Sequence, residues 1–205
     1  MGLLTTNPEP TTTRTLDRGL RPVHVLGTGS CVPDRVLTNH DLEQLVDTSD
    51  DWIVARTGMR ERRLANPGQG VSDLAVEAAR HAMEQSDLSP ADIELILVGT
   101  VTADNICPPA ACRVQTKLGA HRAAGFDINA ACSGFMNALF TGHHLVAAGA
   151  FRNALVIGAD ILSSITDYED RESCVLFGDG AGAFVIGPAP KDDGFSNGPR
   201  GELLD

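Results

Sequence analysis

Cys132 is the residue of this sequence best placed to do chemistry. It sits in the run Phe126-Asp127-Ile128-Asn129-Ala130-Ala131-Cys132-Ser133-Gly134-Phe135, where a short apolar segment gives way to small residues and then to a long helical pattern. A free thiol with a reference pKa of about 8.5 is mostly protonated at neutral pH and attacks slowly. A helix N-terminus favours the thiolate, because its unpaired N–H groups and positive dipole end stabilise negative charge. The small neighbours leave room for a carbonyl, so the pattern suits acyl transfer through a thioester. The competing reading is a cysteine packed as a small hydrophobe, which free cysteines commonly are.

A second chemical cluster lies upstream. Arg56, Arg60, Arg62 and Arg63 are basic residues in a chain of formal charge -11, a landing place for phosphates. Trp52 and Arg56 stand four apart, on one face of a short helix. The remaining cysteines, Cys31, Cys107, Cys112 and Cys174, form no Cys-x-x-Cys and have no histidine at zinc-finger spacing, so neither a metal site nor a disulfide framework is read here.

The elements that must position these groups follow from periodicity. Residues 1–20 carry two prolines and five threonines before Arg14 and read as a disordered leader. Residues 23–27 read as a strand and 27–33 as a turn. Gly27-Thr28-Gly29 begins like a dinucleotide fingerprint, but Val32 stands where its third glycine belongs. Thr38 or Asn39 caps a short helix through Leu42, Leu45 and Val46, and a second short helix holds Trp52 and Arg56. Ser72 is expected to cap the next helix, whose Leu74, Ala78, Ala79, Ala82 and Met83 form a narrow stripe suited to close packing on a sheet.

Residues 93–101 are a dense run of the kind buried on both sheet faces. Pro108-Pro109 opens a helix that Gly119 closes. Residues 123–128 form the strand feeding Cys132, and 133–150 the helix after it, apolar all round as in a buried central helix. Strands at 154–160 and 183–187 follow, then a polar, flexible tail at 191–205. Alternating strands and helices give a layered α/β architecture.

Composition, 42% hydrophobic and 21% charged, is that of a globular protein. The acidic balance argues against nucleic acid as a partner. No apolar run approaches the roughly 20 residues that span a bilayer, and the opening residues lack a signal-peptide pattern, so no membrane partner is expected and the cytoplasm is the expected compartment.

The Asp127–Phe135 motif resembles the nucleophile motif of the β-ketoacyl-acyl-carrier-protein synthase III family, condensing enzymes that start fatty-acid and some polyketide chains. Two more motifs match in order. Thr48-Ser49-Asp50-Asp51-Trp52-Ile53-Val54-Ala55-Arg56-Thr57-Gly58-Met59-Arg60-Glu61-Arg62 resembles the family's coenzyme A entrance, and Phe177-Gly178-Asp179-Gly180-Ala181-Gly182-Ala183 its glycine-rich turn. The resemblance implies a thiolase-like fold, the first of its two repeated halves, over residues 21–190. It implies Cys132 as acyl acceptor, and Thr48, Trp52, Arg56 and Arg171 at the coenzyme A, with Trp52 and Arg56 sandwiching the adenine. For Trp52 the alternative is simple core packing, and for Arg171 an ion pair with Asp167, Glu169 or Asp170.

Cys107 stands where the family often has an aromatic residue reaching the partner subunit's acyl pocket. It either widens that pocket or packs inertly. The implied partners are acyl-CoA as substrate, with no separate cofactor, malonyl-acyl-carrier protein, and a second copy in a homodimer. The family's histidine and asparagine oxyanion donors lie in its second half, beyond residue 205. His143 cannot replace them, since eleven helical residues at about 1.5 Å rise put it roughly 16 Å from Cys132. The chain is therefore expected to load an acyl group without condensing it. The alternatives are a fragment with a binding or dimerisation role and a related starter-unit acyltransferase.

Overall fold

The computed structural model describes residues 20–188, so the expected leader, Leu20 excepted, and the expected tail lie outside the described residues. One sheet carries the fold. Its strands are β1 (His24–Cys31), β4 (Leu95–Gly99), β5 (Ala124–Ile128), β6 (Ala154–Ile161) and β7 (Asp179–Gly187), in the spatial order β1-β7-β6-β4-β5. β4 is parallel to both β5 and β6, while β7 runs antiparallel between β6 and β1. A two-stranded antiparallel ribbon, β2 (Arg35–Thr38) with β3 (Glu61–Leu64), forms a second, separate ladder.

Period-two alternation along β4 builds two cores at once. Ile96 and Val98 join the cluster formed with α3 (Val71–Ser86) and α4 (Ala110–Leu118), and Leu95 and Leu97 join the one formed with α5 (Gly134–Ala147). All five β4 residues are buried, as its apolar run requires.

Several local expectations are corrected. Residues 27–33 do not turn, because β1 continues to Cys31. The glycines there serve close packing: a Cβ on Gly27 would lie 2.2 Å from the Ala82 carbonyl oxygen, and one on Gly29 2.1 Å from that of Ala78. Glycine in a strand costs about 0.5–1 kcal/mol against alanine. Seating the α3 stripe, with Leu74 fully buried among its residues, contributes about 1.5–3 kcal/mol for each such large side chain and outweighs it.

Ser72 does not cap α3. Gly70 is the N-cap, its N–H donating to the Asp73 carboxylate at 2.9 Å, while the Ser72 N–H and hydroxyl donate to Asp104 at 3.0 and 2.9 Å. A distant acid thus satisfies an orphan donor of the first turn, which local spacing could not reveal. The motif at 177–183 is mostly strand, since β7 starts at Asp179.

α5 is not buried all round. Met136 is 61% and Phe140 67% exposed on the face away from the sheet.

Candidate functional site

Cys132 is exposed on a single 3-10 turn, Ala131–Ser133, between β5 and α5. The chain reverses there through Ala131, whose φ of 47° lies in the left-handed region that costs a residue with a Cβ about 1–2 kcal/mol. Such strain survives only where the surroundings over-determine it. Here the Ser133 hydroxyl donates to the Ala130 carbonyl at 2.7 Å, and the Asn137 amide donates to the Ser133 carbonyl at 2.9 Å.

The sheet supplies the rest of the constraint. A Cβ on Gly99 would lie 2.5 Å from the Gly134 carbonyl carbon, and one on Gly158 2.9 Å from the Phe135 Cβ, so the first residues of α5 sit directly on the end of β4 and the middle of β6. Asp127, on β5, accepts from the Ala110 and Ala111 N–H groups at 2.7 and 2.8 Å. It caps α4, for which Pro109 offers no side chain, and so locks the strand before Cys132 to that helix.

Cys132 opens onto a cleft of about 450 Å³ that Phe135, Gly158, Asp160, Gly180 and Phe184 also line. The Phe135 and Phe184 rings meet edge to face at 5.1 Å. Asp160 Oδ1 accepts from Thr100 Oγ1 at 3.0 Å, the Val101 N–H at 2.8 Å and Thr102 Oγ1 at 2.8 Å, fixing the loop after β4. Asp179 is buried and accepts from the Ala65 N–H, the Ser163 N–H and the Ser163 hydroxyl, tying the end of β3 to β7. These acids staple the site, a role that became visible only with their partners.

The second cluster forms around α2 (Asp50–Thr57), capped by Ser49 and stopped by Gly58 at φ 73°. The Arg56 guanidinium carbon lies 4.7 Å from the centre of the Trp52 ring, and that of Arg171, first residue of α6 (Arg171–Cys174), lies 4.3 Å from it. Trp52 is half-buried against the cluster of Leu42, Ile53, Cys174 and Val175, so it both packs and presents an aromatic face to cations. Arg171 makes no ion pair with its acidic neighbours among the described residues. Asp167 instead accepts from the Glu169 N–H, and Asp170 caps α6 through the Glu172 N–H at 2.9 Å and the Ser173 hydroxyl at 2.5 Å.

Thr48 has a buried hydroxyl without a hydrogen-bond partner among the described residues. Cys107 is exposed beside the fully exposed Ile106 and does not line the Cys132 cleft. Arg62 leaves the expected phosphate-binding cluster, being only 3% exposed. Arg63 pairs with Glu61 at 2.9 Å. Among the described residues no histidine lines the cleft. His143 is half-buried, and burial, with His144 beside it, pushes its pKa down.

Fold and cysteine turn together define a thiolase-like α/β protein, matched by solved structures of known sequence kin. One, the 3-oxoacyl-[acyl-carrier-protein] synthase III of Aquifex aeolicus, superposes with a TM-score of 0.80 at 46% identity, covering 82% of this chain and 55% of that one. The priming β-ketosynthase of a polyketide biosynthetic pathway gives 0.81 at 39% identity, over 83% and 51%. Residues 126–197 match the family described as 3-oxoacyl-[acyl-carrier-protein (ACP)] synthase III. A β-ketoacyl-[acyl-carrier-protein] synthase III of Desulfitobacterium hafniense is 51% identical over 188 residues, 89% of this chain and 57% of that protein. The chain is similar to these proteins over 80–89% of its own length, and it spans about half the length of the curated relatives it matches. Among the described residues no helix is long and apolar enough to cross a membrane.

Proposed function

We propose that this chain carries the acyl-loading apparatus of a β-ketoacyl-acyl-carrier-protein synthase III. The observation that carries this reading is the exposed Cys132 at a strained strand-to-helix turn over an open cleft. The Cys132 sulfur, as thiolate, attacks the thioester carbonyl of an acyl-CoA. The tetrahedral intermediate collapses, the carbon–sulfur bond to coenzyme A breaks, and the leaving thiolate takes up a proton, leaving an acyl group on Cys132. The open turn gives the carbonyl room, and the N-terminal N–H groups of α5 stand next to the reacting sulfur in sequence.

Trp52, Arg56 and Arg171 hold the nucleotide end of coenzyme A, an aromatic plane and two guanidinium groups suiting adenine and phosphate. Thr48 opens the sequence motif of that entrance, next to Ser49, the N-cap of α2. The acyl group then passes to malonyl-acyl-carrier protein by decarboxylative condensation, a step that draws on oxyanion donors outside these residues. The complete enzyme works as a cytoplasmic homodimer, with Cys107 near the acyl pocket or the subunit contact. The likeness to a priming polyketide ketosynthase supports starter-unit loading for a polyketide as a second outlet for the same cysteine chemistry.

The test is transfer of radiolabel from acetyl-CoA to the protein, followed by peptide mapping. The label is expected on Cys132 and is expected to vanish in Cys132→Ala. Label on Cys31, Cys107, Cys112 or Cys174 with Cys132 unmodified would overturn the proposal.

A further inference from the structure

The two sides of the tryptophan cluster come from α2 and α6, segments more than a hundred residues apart; Ile53 packs with Cys174 and Val175 between them, and one buried polar side chain adds directed hydrogen bonds to that apolar contact. Arg62 Nε and Nη2 both donate to the carbonyl oxygen of Val175, 3.1 Å from Nε, and Nη1 donates to Asn39 Oδ1. Val175 is the C-cap of α6, the helix that begins with Arg171. Asn39 is 1% exposed and passes the link on, its Nδ2 donating to Asp50 Oδ1 at 2.7 Å and to the Met59 carbonyl at 2.8 Å. Asp50 opens α2, and Met59 follows the glycine that closes it. A single guanidinium therefore ties the end of α6 to both ends of the helix carrying Trp52 and Arg56.

Stability alone does not account for this residue. Arg62 has no carboxylate partner among the described residues, and burial pushes its pKa below the usual arginine value. Taking a cation out of water costs several kcal/mol, and a packed apolar side chain of similar volume is often as good for the fold or better. What an apolar side chain lacks is the planar fork that fixes two acceptors at set directions. A lysine ammonium lacks it too.

We propose that Arg62 is a positioning residue for the coenzyme A nucleotide, holding Trp52 on α2 and Arg171 on α6 at the spacing that grips it. The inference rests on the nucleotide-binding role given to those residues above. It separates Arg62 from Arg56 and Arg171: those touch the ligand, while Arg62 acts only through the two helices.

Trp52 is the chain's single tryptophan, so intrinsic fluorescence reads this cluster alone. Coenzyme A is titrated into the full chain as wild type, Arg62→Met and Arg62→Lys with this signal, and pantetheine, which lacks the nucleotide, is titrated into the same proteins by calorimetry. Far-UV circular dichroism checks that each variant is folded at the titration temperature. Both variants should weaken coenzyme A binding by about tenfold or more, the scale of one misplaced charge-assisted hydrogen bond, and weaken pantetheine much less. A folded Arg62→Met that binds coenzyme A within about twofold of wild type overturns the inference. If Arg62→Met does not fold, the same limit applied to Arg62→Lys decides. Failure of both to fold assigns Arg62 to the fold alone and overturns it as well. A wild type whose Trp52 signal ignores coenzyme A removes the nucleotide-binding role itself, an outcome distinguished by needing no variant.

Discussion

The cysteine turn and the tryptophan cluster are built by opposite means. Cys132 is held by backbone: the contact of Gly99 with Gly134, the left-handed Ala131, and hydrogen bonds within residues 130–137. Trp52 is held by side chains drawn from Asn39, Asp50, Arg62, Asp170 and Arg171. A backbone site has no slack for an added atom, because its obstacles cannot rotate away. A side-chain site loses its geometry by degrees, as each partner is removed or titrated.

The largest effect should come from adding one methyl to the backbone site. In Gly99→Ala the new Cβ meets Gly134 and Phe135 backbone atoms at 2.5 to 2.7 Å, so α5 must lift from the sheet. Overpacking of this kind costs about 1–3 kcal/mol or more. A fall in melting temperature of several degrees is expected, with acetylation of Cys132 lost even where the variant folds. Wild-type melting and acetylation would show that the turn has slack and would erase the contrast.

A smaller effect should come from acid, and it should fall first on the side-chain site: Asp73 in the first turn of α3 is lowered too, but α3 has sixteen residues packed on the sheet while α6 has four. Asp170 has its pKa lowered by the hydrogen bonds of the Ser173 hydroxyl and the Glu172 N–H, and Asp41 by those of the Thr38 hydroxyl and N–H, which cap α1 (Asn39–Leu42). For carboxylates lowered in the folded state, the stabilisation is complete above the unfolded value of about 3.9 and is lost as pH falls through the folded values. On titration downward from about pH 4, Trp52 fluorescence is expected to change before the far-UV signal of the sheet and long helices. Coincident transitions would mean that the two regions melt as one unit.

The same contrast explains what could be read from sequence. The Cys132 turn is contiguous, so the apolar run, the small residues and the helix behind them announced it, and the helix stop at Gly119 and the Thr38 cap were legible for the same local reason. Gly27 and Gly29 misled because glycine serves turns and close packing alike, and only the approach of α3 decides which. Ser72 misled because the acid that satisfies the start of α3 is Asp104, thirty-two residues away. Arg62 stood in a run of arginines that looked uniform. Its burial depends on Val175, which no local pattern connects to it. The exposed face of α5 was missed because Met136 and Phe140 are apolar residues of the kind that usually pack inside.

The central claim is that these two regions serve one substrate, the cysteine taking the acyl group while the tryptophan cluster holds the nucleotide. The most direct measurement is the kcat/KM for acylation of Cys132 by acetyl-CoA, divided by that for acetyl-pantetheine, in wild type and in Trp52→Ala. The account predicts a wild-type preference for acetyl-CoA, carried mainly in KM, that Trp52→Ala reduces by about tenfold or more. A preference that survives intact in Trp52→Ala would contradict it and leave the cysteine without its nucleotide clamp.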